Sequence, residues 1–236
     1  GVLSIFNGGY SNTDERINSF VSTVRDFLKN SLTKSYGDNK NAAEHINSIL
    51  NNLENTTSLS EKEKYDLFSK SVNDLFDFIV SFQNSKEYFN FNQLLEAVLI
   101  SSPDLKDASG MSLFDKAVAF GIAEGRRTGS SRFKAQLLYI AEYFYNTDKT
   151  ISDKIINVLY ENAILPFPSP VNFSSLDKWE DEISSIIEKT KLYEYNYLNF
   201  AEFMYPLDKK YAYAVLKAMR KNGYCQTVPY VNFAKG

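Results

Sequence analysis

Thr13-Asp14-Glu15-Arg16-Ile17-Asn18-Ser19-Phe20-Val21-Ser22-Thr23-Val24-Arg25-Asp26-Phe27-Leu28-Lys29-Asn30-Ser31-Leu32 sets the fold class. Its apolar residues, Ile17, Phe20, Val21, Val24, Phe27, Leu28 and Leu32, recur at steps of three and four. That is one continuous stripe on a 3.6-residue helix, which must be buried against another element. Thr13 or Asp14 is the expected cap.

The same period runs outward along the chain. After Gly37-Asp38 it carries Ala42, Ala43, Ile46, Ile49, Leu50 and Leu53, with His45 beside the stripe as a surface or boundary residue. Ser58 and Ser60 each stand three before a glutamate, Glu61 and Glu63, the spacing of a capping box. The helix they start runs to about Phe82. Further helices are predicted over 90–101, 111–123, 131–146 and 151–163, the last capped by Thr150 or Ser152, then over 175–189, 195–205 and 208–222. Asp208 is the cap of the final one and Gly223 its stop. No stretch alternates with period two. The fold class is therefore all-α: an irregular multi-helix bundle of about nine or ten helices.

Two stretches interrupt the pattern. Leu165-Pro166-Phe167-Pro168-Ser169-Pro170 forbids helix and predicts an extended crossing over the body, pinned by Phe167 and Phe173. Tyr224 onward is aromatic and is expected to be an extended tail docked on the chain or on a partner. Helix pairs show no fixed spacing and no known repeat consensus, which disfavours a regular solenoid. The expectation is a single helical domain over 1–236. If it subdivides, a 1–164 body and a 174–236 C-terminal subdomain flank the prolines.

Composition removes much chemistry. One histidine and one cysteine in 236 residues leave only His45 for a Ser-His-Asp or Cys-His arrangement, and His45 with Cys225 cannot build a zinc cage. No metal or cofactor is called for. Hydrophobics at 44% are ample for a core, and the net charge of −3 with interspersed signs gives neither a duplex-binding face nor a polybasic membrane patch. No apolar run approaches the roughly 20 residues of a spanning helix. Asn, Lys, Ile, Phe and Tyr abundance fits the coding bias of an AT-rich genome. Gly1 fixes no compartment, so secreted and cytoplasmic placements both stay open.

Three constellations stand out. Half of the six arginines fall in Gly125–Lys134, where Arg126, Arg127 and Arg132 with Ser130 and Ser131 could hold an anion at the start of the next helix. The plain alternative is a solvated basic turn, and without a Walker lysine or a preceding strand nucleotide hydrolysis is not implied. Trp179-Glu180-Asp181-Glu182 places acid in the first turn of a helix, as its dipole favours. Eight of the 16 tyrosines lie between Tyr193 and Tyr230. Tyrosine suits surfaces that are apolar on one side and wet on the other. Tyr211, Tyr213, Tyr224, Cys225, Tyr230 and Phe233 are accordingly the candidate contact residues, whereas Tyr197, Leu198, Ala201 and Met204 form a core-facing helix side.

In length, helical layout and the segment Tyr145-Asn146-Thr147, Ile155-Ile156, Ile164-Leu165-Pro166, the chain is similar to the light chain of insect silk fibroin. The resemblance implies a secreted, non-enzymatic protein joined to a larger partner through a cysteine. Cys225 lies past the segment where that cysteine would be expected, and the family's intramolecular pair is missing. The leading expectation is a non-enzymatic structural or interaction protein that binds a protein partner or itself through its aromatic C-terminal region. The alternatives are a small-ligand or anion-binding protein using 125–134, a silk-type protein with an intermolecular disulfide, and an enzyme built on carboxylates or tyrosines.

Overall fold

The computed structural model describes residues 12–32, 40–81, 94, 98–99, 104–128 and 132–224; side chains at 31–32, 40, 124–128 and 132–133 are outside that description. Nine α-helices and no strand are found among the described residues, the all-α bundle that the apolar period predicts. None of these helices is long and apolar enough to cross a membrane. The chain divides within one helix into two compact units, Gly1–Ile140 and Ala141–Gly236. The proline crossing therefore lies inside the second unit.

In the first unit α1 (Thr13–Phe27) buries Ile17, Phe20, Val24 and Phe27, and its stripe continues into a π-helical turn, Leu28–Leu32. Asn12 stands at the N-cap position, one residue earlier than expected. α2 (Lys40–Asn51) and α3 (Glu61–Ser81) follow, and α3 packs against both α1 and α2. Of the two capping-box candidates Ser60–Glu63 forms: the Ser60 amide donates to Glu63 Oε1 at 3.2 Å and the Glu63 amide to Ser60 Oγ at 3.2 Å. His45 is exposed and stacks on Phe78, ring centroids 4.3 Å apart.

Of the helix expected over 90–101 only Leu94, Val98 and Leu99 are described; each is helical and buried. The loop before α4 (Leu113–Thr128) is organised by Asp107, whose Oδ1 accepts from the Ser109 amide, the Ser109 hydroxyl and the Met111 amide. Asp104 in this loop takes both ends of the Arg16 guanidinium, at 2.7 and 3.2 Å, although Arg16 is only 3% exposed. The guanidinium also lies 5.2 Å from the Phe68 ring. An always-charged, planar donor can be buried only with such a bidentate partner. This pair fastens the start of α1 to a loop 88 residues away.

The second unit begins within α5 (Arg132–Phe144) and continues through α6 (Lys149–Glu161), α7 (Trp179–Thr190), α8 (Glu194–Met204) and α9 (Lys209–Lys221). α9 packs on both α7 and α8. α6 starts after Asp148, so Thr150 and Ser152 fall inside the helix rather than at its cap. Ser152 is wholly buried and donates its hydroxyl to the Ala141 carbonyl of α5. At the crossing Ser169 is extended (φ −62°, ψ 146°), and Pro170–Asn172 then tighten into a 3-10 turn. A second 3-10 turn, Leu176–Lys178, shortens the helix predicted over 175–189.

Contrary to the expectation from sequence, helix pairs in this unit do recur. The turn between α5 and α6 and the turn between α8 and α9 are copies sixty positions apart. Asp148 and Asp208 donate their amides to Phe144 and Met204 at 2.7 Å each, with backbone angles of −147°, 84° and −150°, 96°. Lys149 lies 5.2 Å from the Tyr145 ring and Lys209 lies 5.3 Å from the Tyr205 ring. Both helices span 13 residues and end in a left-handed residue, Ala163 (φ 58°) and Gly223 (φ 82°). The next amide in each case bonds back to the last turn, Ile164 to Leu159 at 2.8 Å and Tyr224 to Met219 at 2.9 Å. That is the Schellman closure, which favours glycine because a Cβ is strained there.

Candidate interaction surface of the second unit

Aromatic packing builds this site from the inside out. Phe167 of the crossing stacks on Tyr197 (centroids 5.5 Å apart) and meets Phe200 edge-on at 5.3 Å. Tyr211, on the first turn of α9, meets Phe200, Trp179 and Phe173 at 5.9, 5.2 and 6.1 Å. Its hydroxyl donates to the Pro168 carbonyl at 2.6 Å. Tyr211 is fully buried, so among the contact residues expected from the tyrosine distribution this one belongs to the core instead. Its place follows from the α9 stripe, in which Tyr211, Ala212, Val215, Leu216 and Met219 all face inward.

Tyr197 is also fully buried, as its helical face predicts, and its hydroxyl organises the turn between α7 and α8. That oxygen accepts the Leu192 amide at 2.8 Å and lies 2.6 Å from Thr190 Oγ1. Lys191, in the left-handed region (φ 47°), reverses the chain between them. With the turn held from inside by Tyr197, the two tyrosines before it in sequence stay outside. Tyr193 is 76% exposed and Tyr195 60%, and their rings stack at 6.0 Å with planes 10° apart. Leu192 adds a further exposed apolar side chain. Tyr224 meets Tyr197 edge-on at 5.4 Å and donates its hydroxyl to the Leu192 carbonyl at 2.9 Å. Tyr224 therefore lies beside this tip.

Tyr213, half-buried, meets Tyr205 edge-on at 6.0 Å and lines a groove of about 410 Å³ with Trp179, Lys210, Ala214 and Lys217. In the first unit a cleft of about 600 Å³ lies between α3 and the 106–109 loop. Its walls carry both signs, with Asp66, Asp74 and Asp77 facing Lys70, Lys106 and Lys116, which selects neither an anion nor a cation.

Cys225, Tyr230 and Phe233 lie outside the described residues. So do Ser130, Ser131 and the side chains of Arg126, Arg127 and Arg132. The backbone there shows that α4 runs through Thr128 and α5 starts at Arg132, so the basic stretch belongs to two helix ends. Among the described residues no three His, Cys, Asp or Glu side chains gather closely enough to hold a metal ion. Compared with known protein families, curated proteins and solved structures, the chain matches none of them.

Leu192, Tyr193 and Tyr195, the exposed tip of this unit, are not among the contact residues expected from the sequence. One signal could have found it. Tyr197 lies on the apolar face of α8, so Tyr195, two residues before it on the helix, points away from that face, and Tyr193 stands before the helix at its cap.

Proposed function

We propose that the chain is a non-enzymatic helical protein that binds a macromolecular partner or itself through its C-terminal quarter, with the stacked Tyr193–Tyr195 pair at the centre of the contact. The observation that carries this reading is the exposure of two large rings held parallel on a turn that Tyr197 fixes from beneath. Rigid tyrosines deliver contact area at little entropic cost, which is why they concentrate in binding surfaces. A solvated loop with no such role would gain nothing from a preorganised aromatic pair.

The test is sedimentation velocity over a concentration series for the full chain and for a Tyr193→Ser/Tyr195→Ser chain. The expected result is association in the parent that the double substitution weakens, with helicity unchanged. Association that persists unaltered in the double variant would overturn the assignment of this tip.

A further inference from the structure

The repeat found at the two helical turns extends past them. Sixty positions separate Ala141 and Ala201, Glu142 and Glu202, Asp148 and Asp208, and Asn162 and Asn222. The register holds further on, where Val171-Asn172-Phe173 recurs as Val231-Asn232-Phe233. A helical turn and a Schellman closure are thus used twice, and in the sequence each closure is followed at the same distance by Val-Asn-Phe.

In the first copy the crossing is seated on the helix that precedes it. Asn157 of α6 accepts the Ser169 amide at 2.8 Å through Oδ1 and donates from Nδ2 to Asn172 Oδ1 at 3.0 Å. Asp153, one turn earlier, accepts the Ser169 hydroxyl. The positions on α9 that correspond to Asp153 and Asn157 are Tyr213 and Lys217. These two side chains line the groove of about 410 Å³, together with Trp179, Lys210, Ala214 and the exposed Leu176. Among the described residues the first copy thus has a covered helix face where the second has a groove.

We propose that this groove on α9 is the seat of the chain's own residues 229–233, over the stretch of helix that 169–173 cover on α6 but held by apolar contact, because Pro229 has no amide or hydroxyl hydrogen to give and Lys217 no oxygen to accept one. The reach is fixed by the register: Tyr224 closes α9 as Ile164 closes α6, and equal numbers of residues separate each closure from its Val-Asn-Phe. The chemistry agrees. The groove offers Trp179, Tyr213, Leu176 and Ala214 as apolar walls among the charged Asp177, Glu180, Lys210 and Lys217, and Val228-Pro229-Tyr230-Val231-Asn232-Phe233 brings apolar and aromatic side chains. The contact is independent of the exposed Tyr193–Tyr195 pair, so either reading can fail alone.

The pairing of Asn157 with Asn172 makes a direct test, because it translates into Lys217 beside Asn232. A full-length Lys217→Cys/Asn232→Cys chain, in a Cys225→Ser background, is oxidised mildly and resolved on a non-reducing gel against a Lys189→Cys/Asn232→Cys control. The expected result is a fast-migrating, intrachain cross-linked monomer in the first chain and not in the control. Absence of the cross-link, equal cross-linking in both chains, or cross-linking only between chains would each overturn the proposal. Trp179 is the chain's single tryptophan. Truncation after Val228 should therefore shift its emission to longer wavelength, and an unchanged spectrum would count against the seat.

Discussion

Removing one oxygen atom tests whether the crossing is fastened from within. Tyr211→Phe keeps the ring that meets Trp179, Phe200 and Phe173, and deletes only the hydroxyl that reaches the Pro168 carbonyl at 2.6 Å. Both Tyr211 and Pro168 are buried, so water cannot replace the lost donor. The cost is then the lost hydrogen bond with the carbonyl left desolvated, about 1–3 kcal/mol. Tyr211→Ala, by contrast, removes the ring from three aromatic contacts and should cost about 3–5 kcal/mol as a cavity. Urea unfolding followed by Trp179 emission is the natural assay. The indole lies 5.2 Å from the Tyr211 ring, so the signal reports this unit directly. The midpoint should fall with little change in slope. A Tyr211→Phe chain within about 0.5 kcal/mol of the parent would refute the claim that this hydroxyl pins the crossing.

Asp104→Asn leaves the Arg16 guanidinium buried without its counter-ion. Chemical denaturation should show a loss of about 2–4 kcal/mol, somewhat below that of a fully enclosed pair because the Asp104 side chain is 29% exposed. Ala163→Gly relieves a left-handed alanine where the second copy already has Gly223, and thermal unfolding should show a gain of up to about 1 kcal/mol. The Tyr145 hydroxyl is pushed up to about 12 by burial and by the carboxylates of Asp208 and Asp153. Its folded value lies above the ordinary 10.0, so its contribution is complete below pH 10 and is lost as pH rises toward 12. Tyr211 moves in the same direction, mainly through burial. Stability measured across that window should fall steeply in the parent and less steeply in Tyr145→Phe.

Helices were legible because their signal is local. The stripes of α1, α3 and α9 are written at steps of three and four, and burial follows them residue by residue at Ile17, Phe20, Val24 and Phe27. Caps were legible where one residue type has one local use, as at Ser60 with Glu63 and at Asp208, whose Oδ1 accepts the Tyr211 amide at 3.0 Å. Ser152 misled because a hydroxyl near a helix start suits either a cap or a buried bond to a neighbouring helix, and it makes the second. Tyr211 misled for a related reason. Its type is amphipathic, and only the carbonyl of Pro168, 43 residues away in sequence, shows which end is satisfied inside.

The repeat went unread because apolar periodicity cannot carry it. Any two amphipathic helices share a stripe, so the likeness of α6 and α9 is invisible at Ile155 against Val215 or Leu159 against Met219. What identifies the module is the set of residues that hold its joints: Asp-Lys at the start, Asn at the end, a left-handed closure, and Val-Asn-Phe beyond. The Asp, Asn and closure positions are fixed by backbone geometry rather than by hydrophobic volume. Asn162 and Asn222 each donate from Nδ2 to the carbonyl four residues back, at 2.8 Å. If the joints define the module, exchanging joints between copies should be mild while exchanging helix faces should not. Grafting Asn222-Gly223 onto Asn162-Ala163 changes one residue and should stabilise, whereas moving Asp153 and Asn157 onto Tyr213 and Lys217 alters the groove itself. The second exchange tests the proposed seat of residues 229–233 and should leave the fold of α9 intact, since Tyr213 and Lys217 lie off its buried stripe.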